Sequence, residues 1–135
     1  MSDLSPLLLA LYEPDIAQNA GAMIRTCACL GVDAAVIEPA GFRMADSRFR
    51  RAGMDYLSAV RIASHDSWAR FETWRVAAGR RLVLLTTRGD ANLWDFAFSE
   101  GDVILVGRDR PACRNRSLRR PTRACAFRSS RRCVR

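Results

Sequence analysis

The sequence predicts an α/β fold built on an open, mostly parallel sheet. The continuous apolar run at residues 7–12 is typical of a strand that is buried on both faces, and residues 32–37, which are apolar except for Asp33, are expected to form a second strand. A helical pattern separates them, and a strand, a helix and a strand within about 30 residues indicate a right-handed βαβ unit. The 135 residues are enough for one domain with a substantial core.

The strands, helices and aromatic residues farther along continue this pattern. We expect a third strand at residues 57–62, further strands at 81–87 and 102–107, and a short connection at 92–98. Ser64 is expected to cap a helix that runs from residue 65 or 66 to 78. In that helix Trp68, Phe71 and Trp74 are interpreted as core residues. His65, the only histidine, is interpreted as a surface or capping residue rather than a catalytic one.

Arginine is distributed very unevenly along the chain. All 22 basic residues are arginine, and nine of them lie after residue 110, where there is no acidic residue. The first 110 residues carry 13 arginines and 14 acids, a net charge of −1. Residues 111–135 show neither a helical nor a strand period, so we expect a disordered cationic tail behind a nearly neutral domain of residues 1–110.

Three interpretations of this tail remain open. It could be an arm that binds nucleic acid non-specifically through its arginines. It could be a metal site at Cys113, Cys125 and Cys133, although no Cys-x-x-Cys pair or histidine accompanies them. It could also be an out-of-frame translation of a GC-rich gene, because such frames yield mainly Arg, Pro, Ala, Ser and Cys. We favour the third interpretation, which reading the gene in its other frames beyond the Gly107 codon would test.

Targeting signals and cysteine usage indicate where the protein works. No apolar run is long enough to span a bilayer, and no signal-peptide pattern is visible, so we expect a cytoplasmic protein that does not contact a membrane. The five cysteines are an odd number, and two of them lie in the middle of a predicted helix. This usage predicts reduced thiols rather than a disulfide framework.

The stretch at residues 13–31 carries the most informative polar residues. Asn19 is expected to cap the helix that follows the first strand, and Gly31 to end it. Gly21 in the first turn leaves room for another backbone or a phosphate to come close. Spacing alone is equally compatible with purely structural roles, in which Asn19 is only a helix cap and Gly21 only a packing glycine.

The same helix is expected to present one apolar face and one separate arginine. Met23, Cys27 and Leu30 share a face at helical spacing, and Arg25 lies off it. Arg25 lies about 9 Å along the helix axis from Asn19. Arg25 is interpreted either as part of a polar site with Asn19 or as a solvated helix residue.

Residues 13–31 resemble the first motif of the SPOUT superfamily of RNA methyltransferases, which are trefoil-knot proteins. The shared pattern is Glu-Pro-x-Ile-x-x-Asn-x-Gly-x-x-x-Arg, ending in Leu-Gly. Two further segments, Ile-Glu-Pro-Ala-Gly-Phe at 37–42 and Arg-Arg-Ala-Gly-Met-Asp-Tyr at 50–56, are similar to the tRNA 2′-O-methyltransferases that modify the wobble ribose of the anticodon. The resemblance runs from about residue 7 to residue 108.

This resemblance implies a reaction and a set of site residues. The reaction is methyl transfer from S-adenosyl-L-methionine to a ribose 2′-hydroxyl of tRNA, without a metal. Arg25, which is always charged, would orient the hydroxyl and a neighbouring phosphate. Asn19 would hold the loop and the arginine, and the pocket for the methyl donor would be lined by Leu85, Thr86 and Gly107.

A short basic helix at residues 46–52 is the candidate RNA-binding element. Arg48, Arg50 and Arg51 could meet phosphates there, and the family match at 50–56 favours this interpretation. The alternative is a solvated charged turn, which is the commoner meaning of such a cluster.

The resemblance stops after Arg108. The family has there a Gly-rich turn, a strand, a Ser-Leu-Asn loop and a last apolar helix, which close the knot around the donor and supply most of the homodimer interface. None of these is visible in the sequence, and Asp109 stands where the family has Glu. We therefore expect an incomplete knot region, a weakened homodimer and little or no methyltransferase activity from this chain as written.

Two other functions are compatible with the sequence. One is a non-enzymatic RNA-binding module that uses the arginine-rich tail. The other is a different βαβ nucleotide-binding protein, which the absence of a Gly-x-Gly-x-x-Gly pattern in the first loop disfavours.

Overall fold

The computed structural model describes residues 6–86, 91–107 and 123–126, with the backbone alone at Thr86 and at 123–126. Its strands form one sheet in which every pairing is parallel, as the sequence predicts. They are β1 (Leu8–Tyr12), β2 (Asp33–Ile37), β3 (Ile62–His65), β4 (Leu82–Thr86), β5 (Ala91–Asn92), β6 (Val103–Gly107) and β7 (Arg123–Ala126). Their order across the sheet is β3-β2-β1-β6-β4-β7-β5.

Three α-helices connect the first four strands. They are α1 (Ala17–Leu30), α2 (Ser47–Gly53) and α3 (Trp68–Ala77), and 3-10 turns follow at Met54–Ala59 and Leu93–Asp95. The side chains of Asp46 and Ser67 cap α2 and α3 by accepting backbone N–H groups. Within the described residues, no helix has the length and apolar character needed to cross a membrane.

The core lies on both faces of the sheet. Alternate residues of β1 point to opposite faces, so Ala10 packs on one side and Leu11 on the other. On the Ala10 side α3 contributes Phe71, which is fully buried, with Trp68 and Trp74 packed beside it. The prediction that these three aromatic residues belong to the core is confirmed. On the other side α1 and α2 bury their small residues and Phe49.

Helix α1 differs from its prediction at its start and in its buried face. It begins at Ala17, and the N-cap residue is Ile16, so Asn19 lies in the first turn and caps nothing. The buried face consists of Ala17, Ala20, Gly21, Ile24 and Cys27. Met23 and Leu30, predicted to share an apolar face with Cys27, are 38% and 72% exposed, whereas Cys27 is buried. Small side chains occupy this face because α2 crosses it closely. The predicted end at Gly31 is confirmed, with the left-handed φ of 67°.

The predicted strand at residues 57–62 is wrong. Leu57 and Val60 are three residues apart and both pack on the α1 side of the core, a spacing that a 3-10 turn satisfies and a strand does not. The strand begins instead at Ile62 and includes Ser64, whose hydroxyl donates to Glu38 Oε1 at 3.2 Å. Ser64 therefore does not cap α3, and His65 ends a strand rather than beginning a helix.

Four residues of the arginine-rich tail form β7, where no regular structure was expected. The strand pairs on one side with β4 at Leu85↔Cys125 and on the other with β5 at Asn92↔Ala126. Pairing on both sides satisfies the backbone hydrogen bonds of this strand. The sequence pattern could not predict it, because backbone pairing leaves no periodicity in the side chains. The other residues of the tail, and the expectation of an incomplete knot region, lie outside the described residues.

Candidate active site

A cavity of about 410 Å³ lies where β1 and β6 end and α1 begins. Tyr12 and Gly107, the last residues of β1 and β6, are paired in the sheet, and both line the cavity. Asp15, Asn19 and Met23 line its other side. Parallel sheets bind ligands outside the carboxyl ends of their strands, and this cavity is at that edge.

The loop between β1 and α1 forms one rim of the cavity, and other backbone segments hold it in place. Glu13 adopts a φ of 43°, and its N–H donates to Ile37 O at 2.9 Å. The N–H of Gly41 donates to Pro14 O at 2.8 Å, and a Cβ added at Gly41 would lie 2.7 Å from Asp15 O. A side chain at position 41 would therefore push the rim out of place.

Gly107 presents its backbone to the cavity. A Cβ at this position would lie 3.1 Å from Tyr12 Cβ and 3.3 Å from Tyr12 O, which is closer than most real Cβ contacts. Gly107 is itself exposed. A ligand in the cavity can therefore approach the main chain at the end of β6.

Asn19 also faces the cavity, with an amide that has no hydrogen-bond partner among the described residues. The side chain is exposed and can both donate and accept a hydrogen bond. The structure thus brings Asn19, expected to hold the loop and Arg25, into one cavity with Gly107, expected to line the donor pocket.

Arg25 lies outside the cavity lining, two helical turns beyond Asn19. Its Nη1 lies 3.6 Å from Met54 Sδ, and within residues 6–86 and 91–107 its guanidinium meets no carboxylate. The structure therefore places Arg25 beside the end of α2, while Asn19 lies in the cavity.

Gly21 explains why α2 lies so close to Arg25. A Cβ at Gly21 would lie 2.6 Å from Phe49 O and 2.7 Å from Ala52 Cβ, so only glycine allows this crossing. Gly21 is buried and is not at the cavity. The sequence predicts either a packing glycine at position 21 or a place where another backbone comes close. Both descriptions hold, because Gly21 packs against the backbone of α2.

The three arginines of the basic helix differ in their surroundings. Arg48 donates to Asp46, with Nη2 and Oδ2 3.0 Å apart. The hydrogen bond from Arg48 lowers the pKa of the Asp46 carboxyl, and Asp46 raises the pKa of Arg48. Arg50 and Arg51 are exposed in the last turn of α2 and form no ion pair with a described residue. These two cations are available to an external anion.

Leu85 and Thr86 end β4, which is the neighbour of β6 at the same edge of the sheet. Leu85 is half-buried and does not line the cavity, and the side chain of Thr86 lies outside the described part of the chain. Gly107 is in the cavity, and Leu85 is not.

Sequence reasoning missed several residues that the fold brings to the site. Tyr12 and Asp15 line the cavity, and their positions at and after the end of a strand could have indicated this. Met54 had no signal in the sequence, because its contact with Arg25 joins residues 29 apart.

The profile of the SpoU rRNA Methylase family matches residues 6–129. Among curated proteins, the chain is 60% identical over 103 residues to the tRNA (cytidine(34)-2'-O)-methyltransferase of Ancylobacter novellus. It is 55% identical over 102 residues to the protein of that name from Beijerinckia indica. Each match covers 76% of this chain, and the chain spans 65% and 64% of the length of these two relatives.

Solved structures share the fold. One, concerned with the 2-OH methylation of C/U34 on tRNA, is 41% identical, with a TM-score of 0.73 over 76% of this chain and 67% of its own. The SpoU methyltransferase AviRb from Streptomyces viridochromogenes, solved with AdoMet, is 21% identical, with a TM-score of 0.80 over 100% of this chain and 53% of its own. At that identity, the second structure shows the fold alone.

Proposed function

Because the chain belongs to the SpoU rRNA methylase family, we propose that its chemistry is the S-adenosyl-L-methionine-dependent 2′-O-methylation of a tRNA ribose, at the wobble nucleotide of the anticodon. The relatives that are 55% and 60% identical carry the name of that activity on cytidine 34. The observation that carries the proposal is the cavity at the ends of β1 and β6, which contains both Asn19 and Gly107.

The cavity fits the methyl donor in size and in the groups it offers. Its volume of about 410 Å³ is typical of a site for a small organic molecule. Apolar residues line most of it, and the Gly107 backbone and the Asn19 amide supply polar contacts. In this proposal Leu85 and Thr86 extend the donor site along the same edge. When bound, the donor supplies an electrophilic methyl group on a sulfonium.

The protein contributes alignment and charge to this reaction. The 2′-hydroxyl oxygen must lie in line behind the methyl carbon while its proton is polarised. No described carboxylate contacts Arg25, so its guanidinium is available to orient the hydroxyl and the adjacent phosphate. Asn19, on the same helix, lines the cavity and can donate or accept a hydrogen bond there. Orientation and fixed charge of this kind supply much of the rate of such a displacement.

The tRNA would approach across α1 and α2. Arg50 and Arg51, which have no ion-pair partner in the described part of the chain, are the proposed phosphate contacts. Arg48 is a weaker candidate because Asp46 already neutralises it. A tRNA substrate also accords with the cytoplasmic location that the sequence predicts.

A homodimer is the proposed assembly. Ile16, the N-cap residue of α1, and Met23 and Leu30 within the helix are exposed and spaced seven residues apart, a spacing suited to helix pairing, and Ile16 and Met23 also line the cavity. We expect light scattering to show a dimer that Met23→Glu dissociates. A monomer in the unsubstituted protein would contradict this assembly.

Donor binding and methyl transfer test the proposed function. We expect calorimetry to detect S-adenosyl-L-methionine binding that Gly107→Val weakens by about tenfold or more, because the added side chain meets Tyr12. Val76→Ala, an exposed position on α3, is the matched control and should change binding less than twofold. Transfer of a labelled methyl group to tRNA would support the function and contradict the expected low activity. The absence of both binding and transfer would contradict the function.

The nine arginines beyond residue 110 favour one second candidate, a non-enzymatic RNA-binding module. Because β7 lies within residues 111–135, deleting the tail would also remove a strand from the sheet. Replacing Arg114, Arg116, Arg119 and Arg120 by serine is therefore the cleaner experiment. Loss of most of the tRNA affinity in that variant, together with no donor binding in the unsubstituted protein, would favour the module over the enzyme.

A further inference from the structure

Met54 has an unusual backbone conformation for its residue type. Its φ is 50° and its ψ is −144°, in a region that side chains other than glycine rarely adopt. The residue ends α2, and its N–H donates to Arg50 O. Such conformations persist only when the surrounding structure imposes them.

Close packing at the preceding residue imposes this conformation. A Cβ at the preceding Gly53 would lie 2.6 Å from Leu57 Cγ, so the chain turns with its backbone pressed against that side chain. Gly53 is buried, whereas Met54 is 57% exposed. The turn therefore does not serve to bury Met54.

The turn brings the Met54 thioether to Arg25. Sδ lies 3.6 Å from Nη1, and no other hydrogen bond or ion pair to Arg25 is formed by the described residues. A thioether is a weak, uncharged acceptor, so it restrains a guanidinium without neutralising it. A carboxylate in the same place would pair with the cation, as Asp46 pairs with Arg48.

We propose that Met54 is a positioning residue for Arg25, and that its left-handed turn holds the thioether against the guanidinium. The guanidinium is thereby kept in one orientation with its charge available to the phosphate and hydroxyl of the substrate. This assignment rests on the proposed methyl transfer for its purpose, and on the contact geometry for the restraint itself.

The order of the Arg25 side chain tests the restraint without any need for activity. In 15N-labelled protein, the Nε–Hε signal of Arg25, assigned by its loss in Arg25→Lys, should show a higher heteronuclear NOE than that of exposed Arg51. Met54→Ala should lower the Arg25 value to that of Arg51. Met54→Leu keeps the bulk at the same backbone cost but lacks the acceptor sulfur, so it should also lower the Arg25 value. Met44→Ala, at another partly exposed methionine, is the control and should change nothing.

An Arg25 signal as ordered in Met54→Ala as in the unsubstituted protein would overturn the proposal. In the methylation assay, Met54→Ala should lower kcat by about tenfold, as expected for lost alignment, with the KM for tRNA within twofold. A lower kcat with an unchanged Arg25 signal would also overturn it. Absence of turnover in the unsubstituted protein would count against the proposed function, and the NMR result would still decide whether Met54 holds Arg25.

Discussion

At the scale of single residues, Gly21 sets how closely α1 and α2 can pack. We expect Gly21→Ala to destabilise the protein by about 1–3 kcal/mol, because the new Cβ would meet Phe49 O and Ala52 Cβ at 2.6 and 2.7 Å. Alanine gains about 1 kcal/mol of helix propensity over glycine, which offsets part of this cost. Urea unfolding measures the difference.

Gln18→Ala is the control for that measurement. Gln18 is exposed in the same helix, so its replacement should change the free energy of unfolding by no more than about 0.5 kcal/mol. A Gly21→Ala protein as stable as this control would contradict the packing role.

His65 should make stability depend on pH. Its ring lies against Phe71 and Trp74, with centroids 5.4 Å away in each case, and its Nε2 is buried without a hydrogen-bond partner among the described residues. Burial lowers the pKa of His65 below its usual 6.5, and the charge of Asp66 opposes this only in part. The unfolded chain therefore takes up a proton at a pH where the folded chain does not.

The sign of the pH effect follows from that difference. The free energy of unfolding should be highest above about pH 6.5 and fall as the pH drops below it, levelling off beneath the folded pKa. His65→Phe keeps the ring contacts and should flatten the curve between about pH 7 and pH 5. Urea unfolding at several pH values measures this dependence. If the free energy of unfolding changed equally with pH in His65→Phe and in the unsubstituted protein, His65 would have the same pKa in the folded and unfolded chains.

At the scale of elements, one ion pair ties two neighbouring strands together at their start. Arg81 precedes β4, and Asp102 precedes β6 and is 1% exposed. Arg81 Nε and Nη2 donate to the carboxylate at 2.7 and 2.6 Å, and Ser99 N–H donates at 2.8 Å. The hydrogen bonds from Arg81 hold the pKa of Asp102 below its usual range.

Removing the arginine would leave a buried carboxylate without its cation. We expect Arg81→Met to lower the free energy of unfolding by about 3–5 kcal/mol. Arg48→Ala is the matched control: its ion pair with Asp46 is on the surface, and its loss should cost far less than the loss of Arg81. Thermal and urea unfolding of the two variants compare these costs, and equal losses would refute the role of burial.

The sequence predicts elements well where one kind of packing determines them. Residues 7–12 and 32–37 lie in the middle of the sheet, and their apolar runs follow directly from burial on both faces. The prediction failed at residues 57–62, where apolar side chains pack from a 3-10 turn, and at β7, where backbone pairing forms the strand. Both failures depend on neighbours that are distant in the sequence.

At the scale of the whole molecule, the candidate site was predictable in its parts but not in its arrangement. Asn19 was expected beside Arg25, and Gly107 beside Leu85 and Thr86, whereas Asn19 and Gly107 lie in one cavity. The crossing of α1 and α2 at Gly21 brings Met54 to Arg25, and no spacing within the sequence encodes that contact. Tertiary packing therefore separates the cavity from the cationic surface formed by Arg50 and Arg51, and it sets the distance between them.

That cationic surface predicts how salt should affect tRNA binding. Each phosphate contact contributes about 0.7–0.9 to the slope of log K against log salt concentration. Replacing both Arg50 and Arg51 by alanine should therefore weaken tRNA binding and reduce the slope by about 1.4–1.8. Filter binding over a range of salt concentrations measures both quantities.

The control removes a positive charge from another surface. Arg70 is exposed on α3, across the sheet from α1 and α2, so Arg70→Ala should leave the slope nearly unchanged. If the tail arginines supplied the binding instead, the Arg50 and Arg51 variant would keep its slope, and serine at Arg114, Arg116, Arg119 and Arg120 would reduce it. Measured together, the three variants assign the RNA contacts either to α2 or to the tail, because each surface makes its own contribution to the released counterions.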